Sequence, residues 1–330
     1  MLIYLATMKE LKTWNEFPAE LRGGVLCVGN FDGVHIGHAA MLGTGRDEAR
    51  RRGVPFTIMT FQPHPATVLK PEVRRWPLTT LEQRRELLAS FSPDVMIFLE
   101  PTRELLSILP EDFLCNIVRG GGGGSGEADG IGATVLVEGP TFTFGKRARG
   151  DVNMLKTLGP SLGFETIVVP TQQETLTDFT LINVSSSVIR WLIGNGRVAD
   201  AARALGRPHT LRGTVVEGAK RGREIGFPTA NVKSEQFLPG PGIYAGTAIV
   251  DGKEHAAAIS VGTNPTFGDN ATTVEAYLLD FSADLYGKTI DLAFHRWVRE
   301  MLTFSGVVPL VAQITRDVDV TRRLMADARS

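Results

Sequence analysis

Residues 23–42 read GGVLCVGNFDGVHIGHAAML. Gly23–Gly29 is a short apolar run closed by glycine, which predicts a buried strand. The polar turn Gly29-Asn30-Phe31-Asp32-Gly33 follows, and a helix is expected over His35 to Arg51. Strand, turn and helix in this order start an α/β unit. Further along, VPFTIMTF, DVMIFLE, ATVLVEG and ETIVVP read as strands, and TTLEQRRELLASF and EDFLCNIV read as helical. Alternation of this kind predicts a parallel sheet with helices on both faces, which binds ligands at the carboxyl ends of its strands.

The pattern changes after SSSVIRWLIGNGRVADAARALGRP, which reads as two short helical pieces. LRGTVVEG, GIYAGTAIV, EHAAAISVG, TVEAYLLDF and TIDLAFHRWV are strand-like runs separated by turn residues, and they predict a small antiparallel barrel. VPLVAQITRDVDVTRRLMADA then reads as an amphipathic C-terminal helix. The chain has 330 residues, enough for two domains, with 43% hydrophobic and 22% charged residues. A net charge of -1 gives no basic field for nucleic acid. The only cysteines, Cys27 and Cys115, suit a reducing compartment, and no signal peptide or long apolar run is visible. The expected location is the cytoplasm, with no membrane and no nucleic-acid partner and a monomer or weak homo-oligomer.

His35-Ile36-Gly37-His38 falls at the expected start of a helix, where free backbone N–H groups and the helix dipole favour phosphate. Three-residue spacing places both imidazoles on one face, and Gly37 leaves the backbone open to a nucleotide. Zinc would need a third ligand. Class I aminoacyl-tRNA synthetases carry a similar histidine motif but also a Lys-Met-Ser-Lys-Ser-type loop, which is absent here. Phe61-Gln62-Pro63-His64-Pro65 ends a strand on the same presumed edge. Ser185-Ser186-Ser187 with Arg190 opens a helix either as caps or as a phosphate cradle. The glycine-rich stretch 119–132 formally contains G-x-G-x-x-G but precedes a strand, so it reads as a surface loop.

The second motif, Gly222-Arg223-Glu224-Ile225-Gly226-Phe227-Pro228-Thr229-Ala230-Asn231, puts Thr229 and Asn231 on one side of an extended segment. Their hydroxyl and amide oxygens are hard donors suited to Mg²⁺. Gly218 and Gly222 would let the backbone close over ATP, with Lys220, Arg221 and Arg223 nearby. A Walker A loop is excluded, since Gly287-Lys288-Thr289 has Ser282 where the first glycine belongs. Glu275 shares a strand face with Tyr277 and Leu279, either as a rim charge or as a base for an alcohol.

Together these motifs resemble the prokaryotic bifunctional riboflavin kinase/FAD synthetase (FMN adenylyltransferase) family over nearly the whole chain. GNFDGVHIGH, FQPHP, TFTFGKRARGD and SSSVIR resemble its adenylyltransferase module. GREIGFPTAN, GIYAG, SVGTNPTFG, VEAYLLDF, DLYGK and VREMLTF resemble its kinase module. The resemblance implies a Rossmann-like nucleotidyltransferase domain over 1–191, a linker over 192–207 and a β-barrel kinase domain over 208–330. It implies that ATP phosphorylates riboflavin to FMN and that a second ATP adenylylates FMN to FAD and pyrophosphate. His35, His38 and Glu275 would be catalytic, with Asn30, Phe31, Gly37, Ser186, Arg190, Gly222 and Gly226 on ATP. His64, Phe142, Arg299 and Phe304 would meet the flavin, and Thr229 and Asn231 would hold Mg²⁺. The pattern departs at Thr141, where the family has an acidic or amide residue, and at the glycine-rich stretch. Riboflavin kinase alone, with a degenerate adenylyltransferase, is therefore the alternative reading. An adenylyltransferase for a pantetheine phosphate would leave the second half without a role. A non-catalytic flavin-binding protein would not need Thr229, Asn231 and His38.

Overall fold

A computed structural model describes residues 8–73, 75–120, 130–218, 221–264 and 269–327. Residues 121–129, the middle of the glycine-rich stretch, and Lys220 lie outside the described residues. The chain divides into two compact units, Met1–Arg75 with Leu81–Gln172, and Trp76–Thr80 with Gln173–Ser330.

The strands of the first unit are Lys9–Leu11 (β1), Val25–Val28 (β2), Phe56–Phe61 (β3), Val95–Leu99 (β4), Val135–Glu138 (β5), Thr143–Phe144 (β6), Gly150–Asp151 (β7) and Glu165–Val168 (β8). Six of them form one sheet in the order β1-β4-β3-β2-β5-β8, and every pairing in it is parallel. β6 and β7 make a separate short ribbon. The helices are Ile36–Arg52 (α1), Pro65–Leu69 (α2), Leu81–Ala89 (α3), Pro110–Asp112 (α4) and Val152–Leu162 (α5). Alternate residues of β2 feed two cores. Leu26 and Val28 pack with Phe113, Ile117 and Leu155, while Val25 and Cys27 pack with Met41, Leu42 and Leu88. Helices therefore cover both faces, as a buried parallel sheet requires. The chain steps from β2 to β3 on one side and returns through β5 on the other, so the order reverses at β2, where such sheets bind ligands.

Two features of this unit go beyond the sequence reading. β1 adds an edge strand against β4 from a segment with no apolar alternation. The EDFLCNIV segment is helical as expected, but Phe113–Arg119 winds as a π-helix.

In the second unit, Gln173–Thr175 (β9) and Leu181–Asn183 (β10) form an antiparallel hairpin. Ser186–Gly194 (α6) and Val198–Leu205 (α7) follow. His209–Val216 (β11), Ala230–Lys233 (β12), Gly242–Val250 (β13), Lys253–Asn264 (β14), Asp269–Leu278 (β15) and Thr289–Arg299 (β16) close a barrel in the order β11-β12-β15-β14-β13-β16. The short helix Arg221–Glu224 (α8) lies between β11 and β12, and Val307–Asp327 (α9) packs on β13, β14 and β16. Segment 192–207, expected as a linker, is mostly folded: α7 buries Val198, Ala201 and Ala204, and Val198 joins the barrel core. Trp76–Thr80 joins this unit because Phe237 N donates to Pro77 O at 2.8 Å and Gln236 Nε2 to Leu78 O at 3.0 Å.

Strand alternation decides which side chains are available for chemistry. Ala230, Val232, Val274, Ala276 and Leu278 fill the barrel core. Asn231, Glu275 and Tyr277 are only partly buried and belong to the opposite strand faces.

Candidate active sites

The outer face of β12, β14 and β15 forms the floor of a cavity of about 250 Å³. Of the residues predicted from the second motif and its companions, Gly222, Thr229, Asn231, Glu275, Arg299 and Phe304 all line it. Asn231 and Glu275 are paired across β12 and β15, and Ser260 on β14 pairs with Glu275 from the other side. Thr229 Oγ1 donates to Glu275 Oε2 at 3.0 Å, so the carboxylate is oriented by a neighbour rather than left as a rim charge. A Cβ on Gly218 would fall 2.2 Å from Asn231 Nδ2, and one on Gly222 would fall 2.3 Å from Phe227 O. Gly222 is thus required by close approach to a backbone carbonyl, whereas a side chain at 218 would have to displace the Asn231 amide. Gly226, with φ +86, turns the chain but does not line the cavity.

The other end of the cavity is apolar and is closed by α9. Met301, Leu302, Phe304, Leu310 and Ile314 line it, and Phe227 meets Tyr277 edge to face at 5.4 Å. Arg299 is clamped there: Nε donates to Asp317 Oδ1 at 2.9 Å and Nη2 to Asp317 Oδ2 at 2.6 Å. Gln313 Nε2 donates to the same carboxylate at 2.9 Å, and the Phe304 ring centre lies 5.9 Å from the guanidinium carbon.

In the first unit the loop after β2 carries unusual backbone. Phe31 at φ +46 and Val34 at φ +39 are left-handed without being glycine, and both are buried. His35 caps α1, its Nδ1 accepting from His38 N at 3.3 Å. The two imidazoles stack at 3.6 Å, and His38 meets the edge of Phe31 at 5.3 Å. Burial, with His35 adding to it, holds the His38 pKa well below the ordinary imidazole value, so the ring is neutral near pH 7. His38 Nδ1 and Asn30 Oδ1 are buried without a hydrogen-bond partner. Gly37 lies in the first turn of α1.

The remaining sites are placed as follows. His64 caps α2, with Nδ1 accepting from Ala66 N at 3.0 Å. Phe142 is half-buried and stacks on Phe144 at 5.6 Å, while Thr141 beside it is exposed. Ser186 and Arg190 belong to α6 in the second unit. Ser185 is the cap of that helix, and the Arg190 guanidinium donates to the carbonyls of Trp76 and Ser186 at 3.3 Å. Among the described residues no group of three His, Cys, Asp or Glu could hold a metal ion. No helix among them is long and apolar enough to cross a membrane.

Comparison with known proteins fits this division of the chain. A family model described as FAD synthetase matches residues 17–180, and one described as riboflavin kinase matches 205–325. A bifunctional riboflavin kinase/FMN adenylyltransferase of Listeria monocytogenes is 33% identical over 307 residues, covering 92% of this chain and 92% of its own. The chain belongs to the bifunctional riboflavin kinase/FMN adenylyltransferase family. The protein of that name from Escherichia coli K12 is 31% identical over 305 residues, covering 92% of this chain and 93% of its own. A solved structure described as a macrolide-efflux protein from Streptococcus pneumoniae is 27% identical, with a TM-score of 0.82 over 96% of this chain and 98% of that one.

Two residues of this riboflavin kinase/FMN adenylyltransferase family member were missed by sequence reasoning. Arg84 on α3 is 6% exposed and donates to Asn30 O at 3.0 Å. Glu138, at the end of β5, is 1% exposed and accepts from Val28 N at 2.9 Å. Burial pushes the Glu138 carboxyl well above its usual value, which favours the protonated form. No motif announces either residue, since a charged position in a helix or at a strand end ordinarily reads as solvated.

Proposed function

We propose that the barrel cavity phosphorylates riboflavin and that the histidine loop takes part in adenylylating the resulting FMN. In the first reaction the terminal ribityl hydroxyl attacks the γ-phosphorus of ATP. An O–P bond forms, the bond to the β-phosphate oxygen breaks, and ADP leaves with FMN as product. The hydroxyl proton passes to Glu275, whose carboxylate Thr229 orients at 3.0 Å. That hydrogen bond inside the cavity is the observation that carries the kinase assignment. Mg²⁺ fits the residues present. Thr229 and Asn231 offer hard oxygen donors, and Gly218 leaves the space beside the Asn231 amide that a Cβ would fill. The ion, when bound with ATP, would neutralise phosphate charge at those two residues. Gly222 would approach the nucleotide, with Gly226 turning the chain behind it. The apolar end with Arg299 and Phe304 suits the flavin ring.

In the second reaction an FMN phosphate oxygen attacks the α-phosphorus of another ATP, forming FAD and releasing pyrophosphate. Such a transfer needs alignment and hydrogen-bond donors at developing charge more than covalent help. His35 and His38 are assigned to the ATP phosphates, with Asn30, Phe31 and Gly37 shaping the loop that receives ATP. A neutral His38 offers a single N–H rather than a positive charge. Ser186 and Arg190 are assigned to phosphate, and His64 and Phe142 to the flavin. The assignment of adenylyl transfer to 1–191 and of phosphorylation to 208–330 belongs to the same proposal, as does a cytoplasmic monomer or weak homo-oligomer.

The test is a time course of the purified chain with riboflavin, ATP and Mg²⁺, with the flavins separated by chromatography. FMN appearing first and FAD after it is the expected result. FMN accumulating without FAD would overturn the adenylyl half and leave a riboflavin kinase.

A further inference from the structure

The loop that carries Asn30 and the histidines is held by a side chain from α3, outside the motifs. β2 and β3 are parallel neighbours, Val28 lying opposite Met59, and each is followed by a loop implicated in adenylyl transfer. Arg84 reaches both. One guanidinium nitrogen donates to Asn30 O at 3.0 Å, and another donates to the side-chain oxygen of Gln62. Thr60 Oγ1 donates to the same Asn30 carbonyl at 3.2 Å. The next residue, Phe31, is the left-handed one at φ +46. A conformation of that kind persists only when its surroundings over-determine it, and a carbonyl gripped from two sides does so. The grip engages the Asn30 backbone and leaves its side-chain Oδ1 buried without a partner.

We propose that Arg84 is a positioning residue for adenylyl transfer, bridging the loops after β2 and β3 so that Asn30 and His38 meet ATP in a fixed geometry. The proposal rests on the reading of the histidine loop as an ATP site. Lysine could keep the charge but not both arms, because only the planar guanidinium donates in two fixed directions. Arg84→Met should lower kcat for adenylylation of supplied FMN by about 100-fold, the scale expected when reacting groups are misplaced by about 1 Å. Arg84→Lys should recover part of that loss, KM for ATP should change less than kcat, and riboflavin phosphorylation by the same protein should stay at its wild-type rate. Wild-type kcat in Arg84→Met, or loss of kcat in Arg84→Lys equal to that in Arg84→Met, overturns the proposal. If Arg84→Met does not fold, Gln62→Ala decides, since it removes one arm at a partly exposed residue: a fall in adenylylation kcat alone supports the bridge, and an unchanged kcat overturns it. His38→Ala, measured in parallel, separates the two ideas. Undiminished adenylylation in His38→Ala sinks the ATP-site reading itself, whereas an inactive His38→Ala beside a fully active Arg84→Met sinks only the bridge.

Discussion

The barrel and the parallel sheet prepare their candidate sites differently. In the barrel, Asn231 and Glu275 are strand residues on the faces opposite a closed apolar core, and strand pairing sets them side by side. Glu275 has Asn231 on one side and Ser260 on the other because β15 pairs with β12 and β14. In the sheet, the site is a loop, and its shape is set by buried groups behind it. Arg84 grips the Asn30 carbonyl, and buried Glu138 accepts from Val28 N. A strand face positions side chains through the ladder itself, whereas a loop needs separate tethers.

That contrast is open to direct attack, beginning with the side chains asked to do most. Glu275→Gln should lower FMN formation by about 10²–10⁴-fold, the usual range for a positioned base, while adenylylation of supplied FMN continues. Equal loss of both activities in a folded variant would contradict separate sites. His38→Ala should lower FAD formation by about 10²–10³-fold while FMN accumulates, which chromatography of the same reaction mixture would reveal.

Smaller effects probe how each region is held. Asp317→Ala leaves the largely buried Arg299 without its carboxylate and should destabilise the second unit by about 3 kcal/mol, read from denaturant unfolding. No loss of stability would mean that the clamp contributes nothing. Gly218→Ala pushes a methyl group against the Asn231 amide and should raise KM for ATP in phosphorylation more than it changes adenylylation.

The last prediction concerns pH. Glu138 has its folded pKa raised above the usual carboxylate value of 4.5, so it stays protonated in the fold while the unfolded chain releases its proton. Its contribution to stability is therefore full below that value and is lost as pH rises toward the folded pKa. Glu138→Gln, which cannot ionise, should gain in melting temperature relative to the parent chain as pH is raised from about 4 to about 8. A difference independent of pH would show that Glu138 does not titrate with unfolding.

Much of this was legible in the residues themselves. GGVLCVG is a short, continuous apolar run bounded by glycine, the pattern of a strand covered on both faces, and it predicts the parallel sheet. The alternation in TVEAYLLDF already separates Val274, Ala276 and Leu278 from Glu275 and Tyr277. β1 and β12 carry no strand signal of their own, since KEL and ANVK are too short and polar to show a period. Their partners in the sheet and barrel supply the pairing that their own sequence does not demand. The glycine-rich stretch is accommodated at its flanks: a Cβ on Gly130 would lie 2.5 Å from the Gly120 Cα, so the residues bordering 121–129 meet.

The sequence by itself therefore determined the order of elements, the inward and outward faces of the main strands and the residue types at both candidate sites. These follow from local pattern, which the backbone reads at a period of two residues in a strand and 3.6 in a helix. Only the tertiary structure decided that Thr229 orients Glu275, that Arg299 is clamped by Asp317, and that Arg84 and Glu138 stand behind the histidine loop. Each of those pairs is remote in sequence, and LEQRRELL looks the same whether the first of its two arginines is solvated or buried. What distinguishes the two cases is removal from water, because a buried polar group must find its partner within the fold.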